Sequence, residues 1–146
     1  MFLGSFKYSV DSKGRIALPA KLRKSVNPAA SDRFIITRGT DKNIDIYPSD
    51  YWDELTAAKL NSLNTFDPND MLFIRMFLQE ATEETLDSQA RIILPKNLKE
   101  YASIENDVLI IGAVKKIEVW SPIKYEEYLS KVSKSYEEIA FEVMKK

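Results

Sequence analysis

The sequence predicts an α+β fold, mainly β, built from two similar halves related by a pseudo-twofold, with peripheral helices and a helix at the C-terminal end. Three observations predict it. A fifteen-residue segment near the start recurs 76 residues later; each copy centres on a turn-forming Asp between β-favouring runs; and a long apolar stripe at intervals of three and four closes the chain. At 146 residues, with 45% hydrophobic and 29% charged side chains, the composition is that of a globular protein of one or two small domains.

The repeat aligns Ser9-Val-Asp-Ser-Lys-Gly-Arg-Ile-Ala-Leu-Pro-Ala-Lys-Leu-Arg23 with Thr85-Leu-Asp-Ser-Gln-Ala-Arg-Ile-Ile-Leu-Pro-Lys-Asn-Leu-Lys99 without a gap, and seven of the fifteen positions are identical. Phe6–Val10 and Arg15–Leu18 are expected to form a hairpin around Asp11-Ser-Lys-Gly14. Asp at the first turn position accepts from the backbone two residues on, and Gly at the fourth tolerates positive φ. Pro19 ends the strand and starts a short basic helix, Ala20–Val26. The second half copies this with Glu84–Leu86, Arg91–Leu94, Pro95 and a helix to about Ala102. Gly39–Tyr47 also matches Gly112–Trp120 at an offset of 73. Strands Arg33–Thr37 and Asn43–Tyr47 make a second hairpin, mirrored by Asp107–Ile111 and Lys116–Trp120.

A helix follows each half: Pro48–Leu60, capped by Ser49 or Asp50, and Ser121–Met144, whose stripe runs through Tyr125, Tyr128, Leu129, Val132, Tyr136, Ile139, Ala140 and Val143. A link near Asn61–Asn69 leads to one more helix, Asp70–Glu80. The expected division is a first repeat over 1–60, a connecting segment over 61–80 and a second repeat with the C-terminal helix over 81–146. Each unit is too small to bury a comfortable core alone, so the two are expected to pack together.

The chain has no cysteine and no histidine. Disulfides, thiolate nucleophiles, zinc clusters and the commonest general base are thereby excluded, and a binding role is a better reading than an enzyme. No cofactor and no small-molecule substrate are expected. The longest apolar run, Val108–Val114, is about a third of the roughly 20 residues a membrane helix needs, and no secretory signal is recognisable, so a cytoplasmic protein is expected. The net charge of -1 hides an uneven distribution: residues 1–26 carry Lys7, Lys13, Arg15, Lys21, Arg23 and Lys24 against Asp11 alone, for +5, leaving -6 for the remainder. A local basic stripe is what contacts phosphates, even in a chain of calculated pI near 5.6.

An Asp-x-x-x-Arg turn followed by Ile-x-Leu-Pro and a basic helix, occurring twice, resembles the MraZ family. The resemblance runs from Met1-Phe-x-Gly to about Leu129, and Gly4, Arg38-Gly39, Tyr47-Pro48 and Trp120-Ser121 match as well. It implies tandem AbrB-like swapped-hairpin β-barrel modules. It also implies a bacterial, nucleoid-associated transcriptional regulator that assembles into homo-oligomeric rings and binds short G-containing direct repeats ahead of its own division and cell-wall gene cluster. The partner is then double-stranded DNA, with Asp11, Lys13, Arg15, Lys21, Arg23, Lys24, Asp87 and Arg91 as the contacting or turn-forming residues. The second motif departs from the pattern, with Ala90 where the first has Gly14. Ala enters positive φ at a cost, so either that turn has a shifted geometry or it needs no left-handed residue. Glu80, Glu83, Glu84 and Asp87 surround Arg91, so the first motif should bind DNA more strongly.

On the residues alone, Arg15 and Arg91 read first as ion-pair partners of Asp11 and Asp87 that stabilise their turns, and only second as ligand contacts. The resemblance turns them toward guanine, whose O6 and N7 a planar guanidinium fork reaches together, on a two-stranded ribbon that the major groove admits. The lysines and Arg23 read as phosphate contacts or as a solvated face. Tyr125, Tyr128 and Tyr136 read as core or subunit packing. Asp67, Asp70, Glu83 and Glu84 read as solvated acids rather than a metal site. The alternative to a DNA-binding regulator is a ring-forming scaffold or protein-interaction module.

Overall fold

A computed structural model describes residues 1–146, and in it the two repeat turns form while the strands on either side of each turn part company. The elements run β1 (Ser5–Ser9), β2 (Arg15–Ala17), α1 (Ala20–Arg23), a 3-10 turn (Pro28–Ala30), β3 (Arg33–Arg38), β4 (Ile44–Pro48) and α2 (Ser49–Leu55), which continues as a π turn (Thr56–Leu60). Then come α3 (Pro68–Leu78), β5 (Thr82–Thr85), β6 (Arg91–Ile93), α4 (Lys96–Tyr101), β7 (Asp107–Ala113), β8 (Lys116–Trp120), α5 (Pro122–Ser130) and α6 (Tyr136–Met144).

The strands β3–β4 and β7–β8 pair as the expected hairpins. The hairpins expected around Asp11 and Asp87 are corrected. β1 pairs with β7 of the other half, β5 pairs with β3, and β2 pairs with β6. The turn supplies one rung, Asp11 N–H to the Arg15 carbonyl at 2.9 Å, and then the arms diverge. The physical reason lies in burial: β1 completes a long strand edge on β7, while β2 crosses the core to set Ile16 against Ile92, both fully buried. The result is a six-stranded antiparallel sheet, β1-β7-β8-β4-β3-β5, and a two-stranded ribbon, β2-β6. Exchanging the halves reverses the sheet order onto itself. The sheet is open at β1 and β5, so the expected modules share one sheet and one core rather than closing as two separate barrels.

The core lies between sheet and ribbon. Period-two alternation sends Phe34, Ile36, Ile44, Ile46, Val108, Ile110, Ile117 and Val119 inward, where they meet Ile16, Leu18, Ile92 and Leu94 of the ribbon strands and their extensions, with Leu22 and Leu98 from the short helices. Aromatic side chains cover the outer face. Tyr47 packs on Trp52, Trp52 on Phe77, and Trp120 on Tyr125 and Tyr128, at ring-centroid distances of 5.4, 5.6, 4.9 and 5.2 Å. These are pair geometries that aromatic quadrupoles favour.

Three helical expectations need correction. The stretch 121–144 is two helices, α5 and α6, because Ser135 forms a reciprocal capping box with Glu138 and starts a new helix there. Tyr125 and Tyr128 pack as expected, whereas Tyr136 is exposed. At α2 the N-cap position is Pro48, with no side-chain cap; Ser49 instead donates its hydroxyl to the Ala30 carbonyl at 2.9 Å. The helix expected at Asp70–Glu80 begins earlier, at Pro68, because Asp67 accepts from the Asn69 and Asp70 N–H groups.

One charged group is buried under the aromatic layer. Asp45 on β4 stands directly opposite Glu118 on β8, at the centre of the pseudo-twofold. Its carboxylate accepts from Asn43 Nδ2 at 2.9 Å, Lys116 Nζ at 3.0 Å and the Tyr47 hydroxyl at 3.3 Å. Burial pushes the Asp45 carboxyl up, against the pull of Lys116, and pushes the Tyr47 phenol up strongly. Burial opposes the Lys116 charge too, but Asp45 and Glu118 outweigh it and raise that ammonium's pKa.

Candidate nucleic-acid interface

Each repeat turn is organised by its aspartate. Asp11 Oδ1 accepts from the Lys13 and Arg15 N–H groups, both at 2.9 Å, and Oδ2 accepts from Arg15 Nε at 2.8 Å. Asp87 repeats this with Gln89 N–H and Arg91 N–H at 2.9 Å and Arg91 Nε at 2.8 Å. The Arg15 N–H, followed by its guanidinium and the Lys13 N–H, holds the Asp11 carboxyl below its ordinary range. The Arg91 N–H, its guanidinium and the Gln89 N–H do the same for Asp87. Both carboxylates are therefore ionised at neutral pH, and each fixes an arginine through Nε, leaving the two terminal nitrogens outside the turn's own hydrogen bonds.

Gly14 has φ +79° and Ala90 φ +57°. Both alternatives drawn from Ala90 are thus overturned: the second turn does not shift, and it does use a left-handed residue. The hydrogen bonds explain why alanine accepts the strain. Ala90 donates to the Asp87 carbonyl at 3.0 Å, as Gly14 does to Asp11, and its own carbonyl accepts the Leu18 N–H of the other half at 2.9 Å. Leu94 N–H meets the Gly14 carbonyl at 2.9 Å in return. Each turn is locked onto the opposite repeat.

The ribbon puts the two arginines together. In the β2–β6 register Arg15 faces Ile93 and Ala17 faces Arg91. Residues directly opposite in an antiparallel pair share a face, so all four lie on the side away from the buried Ile16 and Ile92. Ile93 is 48% exposed there, and the Arg15 and Arg91 side chains retain 21% and 28% of their exposure. Arg15 Nη1 also lies 3.8 Å from Asp87 Oδ2, so the first turn's arginine reaches the second turn's carboxylate. The arrangement is a short two-stranded ribbon bearing two half-buried guanidinium groups at diagonal corners of one face, both preset by ionised carboxylates.

The other expected residues are distributed around it. Lys13 is exposed at the tip of the first turn, and Lys21 and Lys24 are exposed on or just after α1. Arg23 is partly committed, donating Nε to the Leu18 carbonyl at 3.1 Å. Lys7 is exposed on β1, a strand of the large sheet that pairs with β7 rather than with the ribbon. Among the acids, Asp67 caps α3, Asp70 accepts from Asn64 N–H, and Glu84 accepts from the Thr82 hydroxyl at 3.3 Å. Sequence reasoning missed Lys99. It belongs to the second repeat, yet strand exchange brings its ammonium against Gly14 of the first turn. The signal was present in the alignment, where Lys99 stands opposite Arg23, but which turn it would serve depended on the pairing of β2 with β6.

Comparison with known proteins agrees with the duplication. A family described as "MraZ protein, putative antitoxin-like" matches residues 1–75 and again 77–145. Among curated relatives, a protein named Transcriptional regulator MraZ from Halothermothrix orenii is 44% identical over 140 residues, covering 96% of this chain and 94% of that one. Proteins of the same name from Natranaerobius thermophilus and Syntrophomonas wolfei are 42% and 44% identical, covering 99% and 96% of this chain and 97% and 94% of theirs. Among solved structures, the solution structure of PHS018 from Pyrococcus horikoshii aligns with 82% of this chain and 88% of that one, at 17% identity and a TM-score of 0.32, a distant likeness.

Proposed function

The chain belongs to the MraZ family, whose curated relatives are named transcriptional regulators, and we propose that it is itself a DNA-binding transcriptional regulator that reads double-stranded DNA with the β2–β6 ribbon. The observation that carries this reading is the shared exposed face of Arg15 and Arg91, each fixed through Nε by its turn aspartate. Fixing Nε leaves Nη1 and Nη2 as a parallel pair of donors, the geometry that meets guanine O6 and N7 in the major groove, where a two-stranded ribbon fits. Asp11 and Asp87 act by positioning. Lys13, Lys21, Arg23 and Lys24 hold phosphates and set the register, contributing affinity and salt dependence without sequence information.

A single bidentate contact discriminates by about 1–3 kcal/mol, too little to find one promoter among roughly 10⁶ competing sites. Several ribbons therefore act together on a ring of identical chains, which binds short direct repeats in the promoter of its own division and cell-wall gene cluster. Exposed apolar side chains support self-association: Leu72, Phe73 and Met76 on α3, and Tyr136, Phe141 and Met144 on α6. The repeats over 1–60 and 81–146 supply one motif each. No helix is long and apolar enough to cross a membrane, and the site of action is the cytoplasmic nucleoid.

The test is a fluorescence-anisotropy titration of the duplex upstream of its own gene, with zero, five and ten base pairs inserted between repeats. Five inserted pairs turn the second repeat to the far side of the duplex and should forfeit a multivalent gain of about 10²–10⁴; ten should cost less. Unchanged affinity at five pairs removes the ring mechanism. A chain that self-assembles but prefers its promoter no more than a shuffled duplex is a scaffold instead.

A further inference from the structure

We infer that Lys99 is the phosphate-holding cation of the first turn, so that this DNA-reading turn is a composite of both repeats: a turn from one half and a cation from the other. The inference rests on the DNA-binding reading above and names a contact that the basic stripe of residues 1–26 does not contain. Its basis is a close approach across the pseudo-twofold. The Lys99 ammonium lies 3.1 Å, and its Cε 3.9 Å, from the point a Cβ on Gly14 would occupy. No carboxylate stands within ion-pairing distance of it. An uncommitted ammonium resting on the turn next to Arg15, on a half-buried stem, is a charge positioned for a ligand outside the protein.

The comparison of the two turns sharpens the point. Ala90 holds a left-handed φ with the same turn hydrogen bonds as Gly14, so the turn itself does not require glycine. What glycine provides at position 14 is the space into which Lys99 reaches. On the second turn the corresponding space holds the Ala90 methyl, and the residue aligned with Lys99 is Arg23, tied by Nε to the Leu18 carbonyl. The strand exchange thus splits the N-terminal basic stripe, with Lys13 staying on the first turn and Arg23 held on the residue that binds the second. Lys99 restores to the first turn the cation that Arg23 takes away. An ammonium is a compact point charge suited to a phosphate oxygen rather than to the paired acceptors of a base edge, so Lys99 supplies affinity and not sequence preference.

The experiment titrates wild type, Lys99→Gln and Lys99→Arg against the duplex upstream of the chain's own gene and a shuffled duplex of equal length, between about 50 and 200 mM salt. Lys99→Gln should weaken both duplexes by the same several-fold factor and make the slope of log affinity against log salt shallower by about 0.9, the value of one lost phosphate contact. Lys99→Arg should recover both. Wild-type binding with an unchanged slope in Lys99→Gln overturns the role of Lys99 and leaves the DNA-binding reading standing. A loss confined to the promoter duplex overturns it in favour of base contact. Failure of the wild type to bind either duplex overturns the DNA-binding reading, and this inference with it.

Discussion

Leu18 donates its N–H to the carbonyl of Ala90 at 2.9 Å, and Leu94 returns the same bond to Gly14. The Ile-x-Leu-Pro run that follows each turn is therefore satisfied by the turn of the other repeat. Together with β1 on β7 and β5 on β3, this leaves each half with only its β3–β4 or β7–β8 hairpin paired internally, and the strands around its turn dependent on the other half.

Residues 1–75 expressed alone should consequently be unfolded or form a two-fold dimer in which a second copy takes the place of the missing half. The isologous dimer preserves the topology, because exchanging the halves maps the sheet order onto itself. Sedimentation and circular dichroism of the fragment check this. A folded monomer would contradict the exchanged pairing.

Ala90→Gly should stabilise the protein by roughly 0.5–1 kcal/mol: a left-handed alanine costs about 1–2 kcal/mol, and part of the relief is lost to the greater freedom of glycine in the unfolded chain. Gly14→Ala should cost a similar amount and also push Lys99 aside, because the new Cβ would meet its ammonium at 3.1 Å. Urea midpoints at constant m-value read both. A neutral Ala90→Gly would mean the locked hydrogen bonds hold that turn without strain.

Arg15→Ala should reduce specific DNA binding more than Arg91→Ala. The two guanidinium groups have the same turn geometry, so the difference is electrostatic: Lys13 and Lys99 flank the first turn, whereas Gln89 and the tethered Arg23 serve the second. Both variants should lose preference for the promoter duplex over a shuffled one, in anisotropy titrations at fixed salt. Equal losses would show that the charge around each turn does not rank them.

Much of this site was legible in the residues. Asp11, Asp87 and the arginines four positions on announce a side-chain-organised turn, and Pro19 and Pro95 mark where each strand yields to a helix. The partner of each strand was not legible, because a turn that closes its own hairpin and a turn that sends its arms to another half use the same local hydrogen bonds. The decision is made by burial of Ile16 against Ile92, a contact 76 residues apart. The break before α6 was encoded in Ser135-x-x-Glu138 but overshadowed by an apolar period that runs through it. Asp45 was hidden for another reason. Ile44-Asp-Ile-Tyr47 alternates like a strand with one solvated face, yet Tyr47 and, from the other half, Lys116 close over Asp45 on that face.

Asp45 should give the stability of the protein an unusual pH dependence. Burial raises its carboxyl pKa above the unfolded value of about 3.9, so in the window above that value the folded chain holds a proton the unfolded chain has released. Stability attributable to Asp45 is then fully present below about pH 3.9 and declines as pH rises through the folded value. Asp11 and Asp87 act in the opposite sense. Their folded pKa values are depressed, so their contribution is present above about pH 3.9 and is lost as pH falls through the folded values. Urea unfolding across this range separates the two. The stability of wild type relative to Asp45→Asn should fall as pH rises above about 4 and then level off, while relative to Asp11→Asn it should fall as pH drops below about 4. Were the difference from Asp45→Asn flat across the range, Lys116 and Asn43 would have to compensate the buried charge completely, and the carboxylate at the centre of the pseudo-twofold would carry no cost.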